Sequence, residues 1–163
     1  MILKTIYNVS ESDLASFTCG NRDLDKFLRN HALLNDRSGY GKTFLLIDGT
    51  EVVGFFTLCS ASIGFEEFKE HQKPLMPRYP IPCIRIARLA VKSDKQGQGY
   101  GKELLKQAFL RILNVSIAIG IKLIVVDAKE TSASFYEKYG FRRLKSDKLT
   151  YFLSIETVKK AID

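Results

Sequence analysis

The sequence is poor in the residues that build metal centres and disulfide frameworks. It holds two histidines and three cysteines in 163 residues, and no two of Cys19, Cys59 and Cys83 have metal-ligand spacing. We interpret the cysteines as structural, with Cys59 and Cys83 as small core residues in strands. The sequence therefore predicts no metal site and a reduced, cytoplasmic environment.

Long apolar runs are also missing. The longest candidate, Ala108 to Val126, is interrupted by Arg111, Asn114, Gly120 and Lys122, so it falls short of the about 18 apolar residues of a membrane span. The N-terminal stretch MILKTIYNVSES has too short an apolar segment for a signal peptide. We expect no membrane association.

Negative charge is in deficit. Lysine and arginine number 25 against 18 aspartates and glutamates, which gives a net charge of +7. A basic balance favours polyanionic partners, either nucleic acid or an anionic cofactor. In one basic cluster, Asp147 alone opposes Lys138, Arg142, Arg143, Lys145 and Lys148, and a second cluster lies between Arg22 and Lys42. A solvated surface is the alternative interpretation of each cluster.

Strand and helix patterns alternate along the chain and predict one mixed α/β domain over residues 1–163. Helical periodicity marks a helix from the Asn21 cap to about Asn35, a long helix ending near Gly120, and a short helix from Thr131 or Ser132 to Gly140. Phe65 to Gln72 is expected to form another short helix, and the prolines from Pro74 to Pro82 a loop. The predicted strands are Leu3 to Tyr7, Thr43 to Ile47, Val52 to Leu58, Ile84 to Val91, Leu123 to Val126, Phe141 to Leu144 and Leu149 to Leu153. The pair Asp48-Gly49 predicts a hairpin between the second and third of these strands.

The stretch KQGQGYGKELL, from Lys95 to Leu105, places three glycines directly before a helix. Glycine lets an anion approach the unpaired N–H groups at a helix start, so the stretch indicates a phosphate site; a turn without a ligand is the alternative. The glycine spacing does not fit the dinucleotide motif G-x-G-x-x-G. It does not fit a P-loop either, because Gly101-Lys102 is followed by Glu103 instead of serine or threonine.

The spacing Q-x-x-G-x-G, formed by Gln96, Gly99 and Gly101 after the strand RIARLAV, resembles the pyrophosphate loop of the GNAT N-acetyltransferase superfamily. The segment FYEKYGF, Phe135 to Phe141, resembles a second motif of that superfamily. With FTCGNRDLDKFLRNHA, TFLLID and PIPCIRIARLAV, the chain is similar from about Phe17 to Leu153 to the GNAT toxins of bacterial toxin–antitoxin pairs. The resemblance implies a single α/β (α+β) domain with a mixed, mostly antiparallel central sheet flanked by helices.

The same resemblance implies an enzyme that moves an acetyl group from acetyl-CoA to the α-amino group of the amino acid on charged tRNA, which blocks translation. Such toxins are held inactive by an antitoxin with a ribbon-helix-helix segment, and they often form homodimers. Tyr136 falls on the tyrosine that serves as general acid in the family. The expected acetyl-CoA contacts are Leu89, Ala90 and Val91 along the pantetheine arm, and Gln96, Gly97, Gln98, Gly99, Tyr100, Gly101 and Lys102 around the pyrophosphate.

The chemistry of the residues is consistent with a tyrosine acid. A phenol with a pKa of about 10 is protonated at neutral pH and can donate to the departing thiolate. Tyr139 and Tyr100 are the alternatives, and Tyr136 could instead be a core residue. No strong general base is evident, which suits the α-amine of an aminoacyl ester better than a lysine, although Glu130 or Glu137 could relay protons.

Five basic residues are predicted to contact tRNA: Arg85, Arg88, Arg142, Arg143 and Lys145. Arg85 and Arg88 are expected to point to opposite sides of a regular strand, with at least one facing the acceptor groove. Two other functions stay open. One is a GNAT enzyme acting on a protein N-terminus, a lysine or a small amine, and the other is a CoA-binding or RNA-binding module without catalysis.

Overall fold

The computed structural model describes residues 1–145 and 148–162, and the chain divides into two compact units. The first unit contains Met1–Cys59 and Ala87–Leu110. The second contains Ser60–Ile86 and the chain from Arg111 onward. Asp147, the single acid in the predicted basic cluster, lies outside the described residues.

Among the described residues there are seven strands and six α-helices. The strands are β1 (Ile2–Thr5), β2 (Lys42–Asp48), β3 (Glu51–Ile63), β4 (Ile81–Val91), β5 (Leu123–Asp127), β6 (Arg142–Arg143) and β7 (Thr150–Ser154). The helices are α1 (Glu11–Ala15), α2 (Arg22–Asn30), α3 (Ala32–Arg37), α4 (Tyr100–Ser116), α5 (Ala133–Lys138) and α6 (Ile155–Ile162). None of these helices is long and apolar enough to cross a membrane.

The first unit has the strand order β1-β2-β3-β4, with β3 and β4 continuing into the second unit. The pairs β1–β2 and β2–β3 are antiparallel, and the predicted hairpin between β2 and β3 turns at Gly49, whose φ of 63° suits a residue without a side chain. The core contains Phe17 and Phe55, both fully buried with rings in edge-to-face contact, and Phe27 stacked on Phe55. A large aromatic core of this kind stabilises the unit mainly by removing apolar surface from water.

The first predicted helix is divided in the structure. Asn21 caps α2 as expected, its side-chain oxygen accepting a hydrogen bond from the Leu24 N–H at 3.1 Å. The helix then ends at Asn30, because His31 has a φ of −127°, and α3 begins at Ala32. The new direction buries Ala32 and leaves Leu34, an apolar residue within the predicted helix, 65% exposed.

The second unit has the strand order β3-β4-β5-β7-β6. Strand β5 runs parallel to β4, and β7 is antiparallel to both β5 and β6. Its core includes the fully buried Val125 and an edge-to-face contact between Phe68 and Phe152. With one parallel pair among the described pairings, the predicted mixed and mostly antiparallel sheet is confirmed.

Other boundaries in the second unit differ from prediction. The expected helix from Phe65 to Gln72 is instead two short 3-10 turns, Phe65–Glu67 and Glu70–Gln72. Pro82, expected in the loop, is the second residue of β4, where its side chain is exposed. The short helix ends as predicted before Gly140, whose φ is 92°.

Candidate active site

The glycine stretch joins β4 to α4 within the first unit. Gly97 and Gly99 have φ values of 75° and 91°, a region that residues with side chains rarely adopt. The helical ladder begins with a hydrogen bond from the Glu103 N–H to the Gly99 carbonyl at 3.2 Å. The N–H groups of Tyr100, Gly101 and Lys102 precede this ladder, so they are donors that the helix itself does not use. The loop therefore presents the positive end of a 17-residue helix to solvent.

Gln96 holds this loop in place. Its side-chain amide donates one hydrogen bond to the Cys19 carbonyl and one to the Val91 carbonyl, both at 3.0 Å. The side chain of Gln98 donates to the Asp94 carbonyl at 2.9 Å. Both glutamine side chains thus bind the protein backbone, which leaves the main chain of the loop to receive a ligand.

The end of β4 lies close to the helix that follows the loop. Ala90 is 6% exposed, whereas Leu89 and Val91 are half-buried. Gly54 in β3 makes the packing possible, because a Cβ there would lie 2.6 Å from Leu104 Cδ1 and 2.9 Å from the Ala90 carbonyl oxygen. Contacts under about 3 Å do not occur between such atoms, so residue 54 has no room for a side chain.

Tyr136 lies in α5 of the second unit and is 5% exposed. Its ring makes edge-to-face contacts with Phe135 and Phe141. Burial raises the pKa of the Tyr136 phenol to about 12, so the hydroxyl stays protonated throughout the neutral range. No described residue forms a hydrogen bond with this hydroxyl. It is therefore a protonated donor with no partner among the described residues.

The alternative tyrosines have different surroundings. The Tyr100 hydroxyl, in the first unit, donates to the Asp48 carboxylate, and this bond raises the pKa of Tyr100. Tyr139 is half-buried, with its ring against Phe135. Among the predicted proton relays, Glu137 already accepts a hydrogen bond from the Tyr151 hydroxyl at 2.6 Å. Tyr136 is thus the more available donor than Tyr100, because its hydroxyl has no described partner whereas that of Tyr100 binds Asp48.

The two arginines of β4 have separate partners. In the second unit, Arg85 Nη1 lies 3.3 Å from Asp127 Oδ2. In the first unit, the Arg88 guanidinium lies over the ring of Phe27, and desolvation lowers the pKa of Arg88. Each arginine is therefore neutralised or stacked within its own unit.

The second unit carries the predicted basic cluster on its surface. Arg142 and Arg143 form the short edge strand β6 and are exposed. Lys145 is also exposed, while its backbone N–H donates to the Glu67 carbonyl at 2.9 Å. The backbone contact fixes the chain at Lys145, whose side chain is exposed.

A cavity of about 610 Å³ also lies in the second unit. Asp127 and Thr150 line it together with Arg85, and the Thr150 hydroxyl donates to Asp127 Oδ1 at 2.9 Å. Sequence reasoning missed both Asp127 and Thr150. The available signal was a carboxylate at the end of a strand of four apolar residues, LIVVD, which is unusual for a fully buried strand.

The chain matches a known family of enzymes. The family model described as "Acetyltransferase (GNAT) domain" matches residues 39–143. The chain belongs to the GNAT acetyltransferase family. Its curated relatives include a tRNA-acetylating toxin of Mycobacterium tuberculosis (strain ATCC 25618 / H37Rv), which is 33% identical over 151 residues, 92% of this chain and 90% of the relative.

Solved structures of GNAT toxins have a similar fold. A structure of AtaT complexed with acetyl-methionyl-tRNAfMet has a TM-score of 0.89 and 25% identity, and the match covers 99% of both chains. A structure of AtaTR bound with acetyl-CoA has a TM-score of 0.86 and 26% identity, covering 99% of this chain and 98% of the other. The predicted acetyltransferase fold and family are confirmed.

Potential metal ligands do not cluster in the described part of this GNAT acetyltransferase. Within residues 1–145 and 148–162, no group of three or more histidine, cysteine, aspartate or glutamate side chains could hold a metal ion. Cys83 is buried and Cys19 half-buried, and burial raises the pKa of each thiol to about 11. Both thiols are therefore protonated and unreactive at neutral pH.

Proposed function

We propose that this acetyltransferase is a toxin that moves the acetyl group of acetyl-CoA onto the α-amino group of the amino acid on charged tRNA, and thereby blocks translation. The observation that carries the proposal is the 33% identity to a tRNA-acetylating toxin over 92% of the chain. The relationship extends well beyond the cofactor motif, so it includes the regions that would recognise an acceptor.

In this proposal the loop from Gln96 to Lys102 binds the pyrophosphate of acetyl-CoA. The N–H groups at the start of α4 supply donors, and the helix dipole favours the negative charge. The end of β4, Leu89 to Val91, offers main-chain groups to the pantetheine amides. Gln96 contributes by holding the loop through the Cys19 and Val91 carbonyls rather than by touching the phosphates.

Tyr136 would act as the general acid. The amine nitrogen forms a bond to the acetyl carbonyl carbon, the carbon–sulfur bond breaks, and the sulfur takes the phenolic proton. The proton lost by the nitrogen passes to solvent, from which the phenolate is reprotonated. Because burial raises the pKa of Tyr136 to about 12, the phenolate cannot persist, so donation would coincide with carbon–sulfur cleavage.

An α-amine suits this enzyme better than a lysine. Both histidines, His31 and His71, are exposed side chains, and neither has a described hydrogen-bond partner. A lysine amine with a pKa of about 10.4 is roughly 0.1% neutral at pH 7.4, whereas an α-amine near 8 is roughly a fifth neutral. An enzyme without a strong base would therefore favour the α-amine.

The basic residues would hold the tRNA through its phosphates. Arg142, Arg143 and Lys145 are exposed and adjacent in the second unit, which suits contact with a charged backbone. Arg85 and Arg88 remain candidates for the acceptor end, although each already has a partner within its unit.

The remaining expectations follow from the same proposal. An antitoxin with a ribbon-helix-helix segment would hold the toxin inactive, and the toxin would form a homodimer. We propose the cytoplasm as its location, because charged tRNA is used there. Residues 1–163 would act as a single acetyltransferase domain, which is supported by a family match whose 105 residues, 39–143, include parts of both units.

Acetyl transfer to purified aminoacyl-tRNA tests the function directly. The protein is incubated with radiolabelled acetyl-CoA and a panel of charged tRNAs, uncharged tRNA, free amino acids, and peptides with a free N-terminus or lysine. Label should appear in at least one charged tRNA and be released by mild base, which cleaves the aminoacyl ester. Equal labelling of free amino acids or peptides, insensitive to ribonuclease, would establish the small-amine or protein N-acetyltransferase instead.

A further inference from the structure

The cavity in the second unit contains the carboxylate of Asp127, which has no role in the acetyl transfer as proposed above. Its volume of about 610 Å³ lies within the range of roughly 300–1,000 Å³ that is usual for small-ligand sites. Three polar residues of its wall, Arg85, Asp127 and Thr150, belong to three neighbouring strands, and Ser62, Glu67 and Lys148 line it as well. A polar wall of this kind favours a polar ligand group over an aliphatic one.

The sheet itself fixes the position of Asp127. Thr150 is the direct antiparallel partner of Asp127, and Arg85 is the parallel partner of Val125, two residues before Asp127 on the same face of β5. The backbone register therefore brings both neighbours to the carboxylate. An isolated loop would not hold an aspartate so firmly.

Asp127 keeps acceptor capacity for a ligand. Oδ1 accepts from the Thr150 hydroxyl at 2.9 Å, and Oδ2 lies 3.3 Å from Arg85 Nη1. A carboxylate has about four acceptor positions, so about two remain, and the side chain is 55% exposed. The free positions suit a group that carries several N–H donors and a positive charge.

The Arg85 side chain lies beside the carboxylate. Its side chain is 34% exposed, and its Nε is buried with no hydrogen-bond partner among the described residues. Leaving a buried donor unpaired costs about 1–3 kcal/mol. The packing of β4 thus keeps Arg85 beside Asp127 in spite of that cost, which is consistent with a positioning role.

We propose that the cavity binds the acceptor amine, with the Asp127 carboxylate accepting hydrogen bonds from its ammonium or amine N–H groups. Arg85 and Thr150 are positioning residues that orient the carboxylate. The ligand class is a primary α-amine, and this inference rests on the proposed function because it names the group that recognises the acceptor. Asp127 thereby selects for a nitrogen nucleophile at the site.

Two charged tRNAs that differ in a single functional group provide the test. An aminoacyl-tRNA carries the α-amine, and the matching α-hydroxyacyl-tRNA carries a hydroxyl in its place. The wild-type protein should bind the aminoacyl form about tenfold more tightly at about pH 6.5, where the amine is protonated. A wild-type protein that binds both forms equally would overturn the proposal, whatever any variant does.

Variants of the cavity residues then show which side chain causes the preference for the aminoacyl form. Asp127→Asn should weaken binding of the aminoacyl form about tenfold and leave the hydroxyacyl form within about twofold. The loss should shrink as the pH rises above the pKa of the amine, near 8 or below, because the carboxylate attracts the ammonium more than the neutral amine. Thr150→Val should give a smaller loss of the same kind. Equal weakening of both forms by Asp127→Asn would show a structural role and overturn the proposal.

Asp23→Asn is the control. Asp23 is an exposed aspartate that does not line the cavity, so removing its charge should change binding of either form by less than about twofold. The proposed function can fail independently of this amine site, because the binding assay does not require acetyl transfer. A protein that discriminates the two tRNAs through Asp127 but acetylates neither refutes the function and leaves the amine site standing.

Discussion

The Arg88 guanidinium lies 3.5 Å from the centroid of the Phe27 ring, within the first unit. Phe27 is 5% exposed and stacks in turn on Phe55, so the cation lies at the edge of the aromatic core. Desolvation at this position lowers the pKa of Arg88 without making the group neutral. A residue that sequence reasoning assigned to tRNA binding therefore also supports the core.

A double-mutant cycle should measure this interaction. Phe27→Leu and Arg88→Met, made singly and together, should show a coupling free energy of about 0.5–2 kcal/mol in urea unfolding. The control cycle combines Phe27→Leu with Arg29→Met, an exposed arginine on the same helix as Phe27, for which we expect no coupling. Coupling of equal size in both cycles would mean that the ring does not bind the guanidinium of Arg88.

The cofactor loop should be sensitive at Gly99. Gly99→Val forces a branched side chain onto a φ of 91° and obstructs approach to the N–H groups, so acetyl-CoA affinity should fall more than tenfold, or about 1.4 kcal/mol. Gly39→Val is the matched control, because Gly39 has a φ of 80° and a Cβ at either glycine would have no atom within 4 Å. Calorimetric titration should find normal affinity in the control, and normal affinity in folded Gly99→Val would contradict the assigned loop.

Tyr136→Phe removes one hydroxyl that has no described hydrogen-bond partner. The fold and acetyl-CoA binding should be preserved, while kcat should fall about 100-fold or more. Steady-state kinetics with charged tRNA give the measurement, and Tyr139→Phe, close by in the chain, should keep most of its activity. Near-normal turnover by Tyr136→Phe would mean that another group is the general acid.

The basic cluster should act through phosphates. Reversing the charge of Arg142 and Arg143 to glutamate should raise KM for charged tRNA and reduce its dependence on salt by about 0.7–0.9 in the log–log slope for each phosphate that the variant no longer binds. KM for acetyl-CoA should stay nearly constant. Lys160→Glu, an exposed charge reversal on α6 of the same unit, is the control. Equal effects of the cluster and control variants would indicate a general effect of net charge.

Asp36 should make stability depend on acid pH. Asp36 is 3% exposed, and burial alone would raise its pKa. The carboxylate accepts hydrogen bonds from Lys42, the Thr43 N–H and Tyr7, and these bonds outweigh the effect of burial, so the pKa of Asp36 is lowered. Because the pKa of Asp36 is lower in the folded than in the unfolded protein, its ionised carboxylate stabilises the fold. This contribution to the free energy of unfolding is complete above the unfolded-state pKa of about 3.9, and it is lost as the pH falls through the folded-state pKa.

The variant Asp36→Asn should therefore lower the free energy of unfolding by about 1–3 kcal/mol at neutral pH, and the deficit should shrink below about pH 4. Urea unfolding at several pH values gives the comparison. Asp23→Asn, an exposed aspartate in α2, should have little effect at any pH. A pH-independent deficit for Asp36→Asn would show that shape rather than charge matters at this position.

The sequence was sufficient for features that depend on local chemistry. The Asn21 cap, the turn at Gly49 and the end of α5 before Gly140 each need particular residues at one position, and the structure has all three. The break at His31 was not predictable, because the apolar spacing continues through it and only tertiary packing buries Ala32 instead of Leu34. Helix α6 was missed for a related reason: its two buried residues, Ile155 and Val158, give too short a stripe.

The candidate site divides in the same way. The loop from Gln96 to Lys102 is a continuous motif, so its spacing alone could indicate an anion site. Asp127, Thr150 and Arg85 are neighbours only through strand register, which pairs residues 23 positions apart in one case. No local pattern in the sequence encodes such a pairing.

The missing side chain at Gly54 connects the centre of the first unit to the position of the helix that follows the glycine loop. An alanine there would have to displace Leu104 and the Ala90 carbonyl, and Leu104 lies in the first turns of the helix whose leading N–H groups face the loop. A small outward movement of that helix would change where those donors point without unfolding anything. In the proposed binding mode, a substitution at this buried position, 45 residues before Gly99, would change acetyl-CoA affinity, and a library that varied only the loop would never sample it.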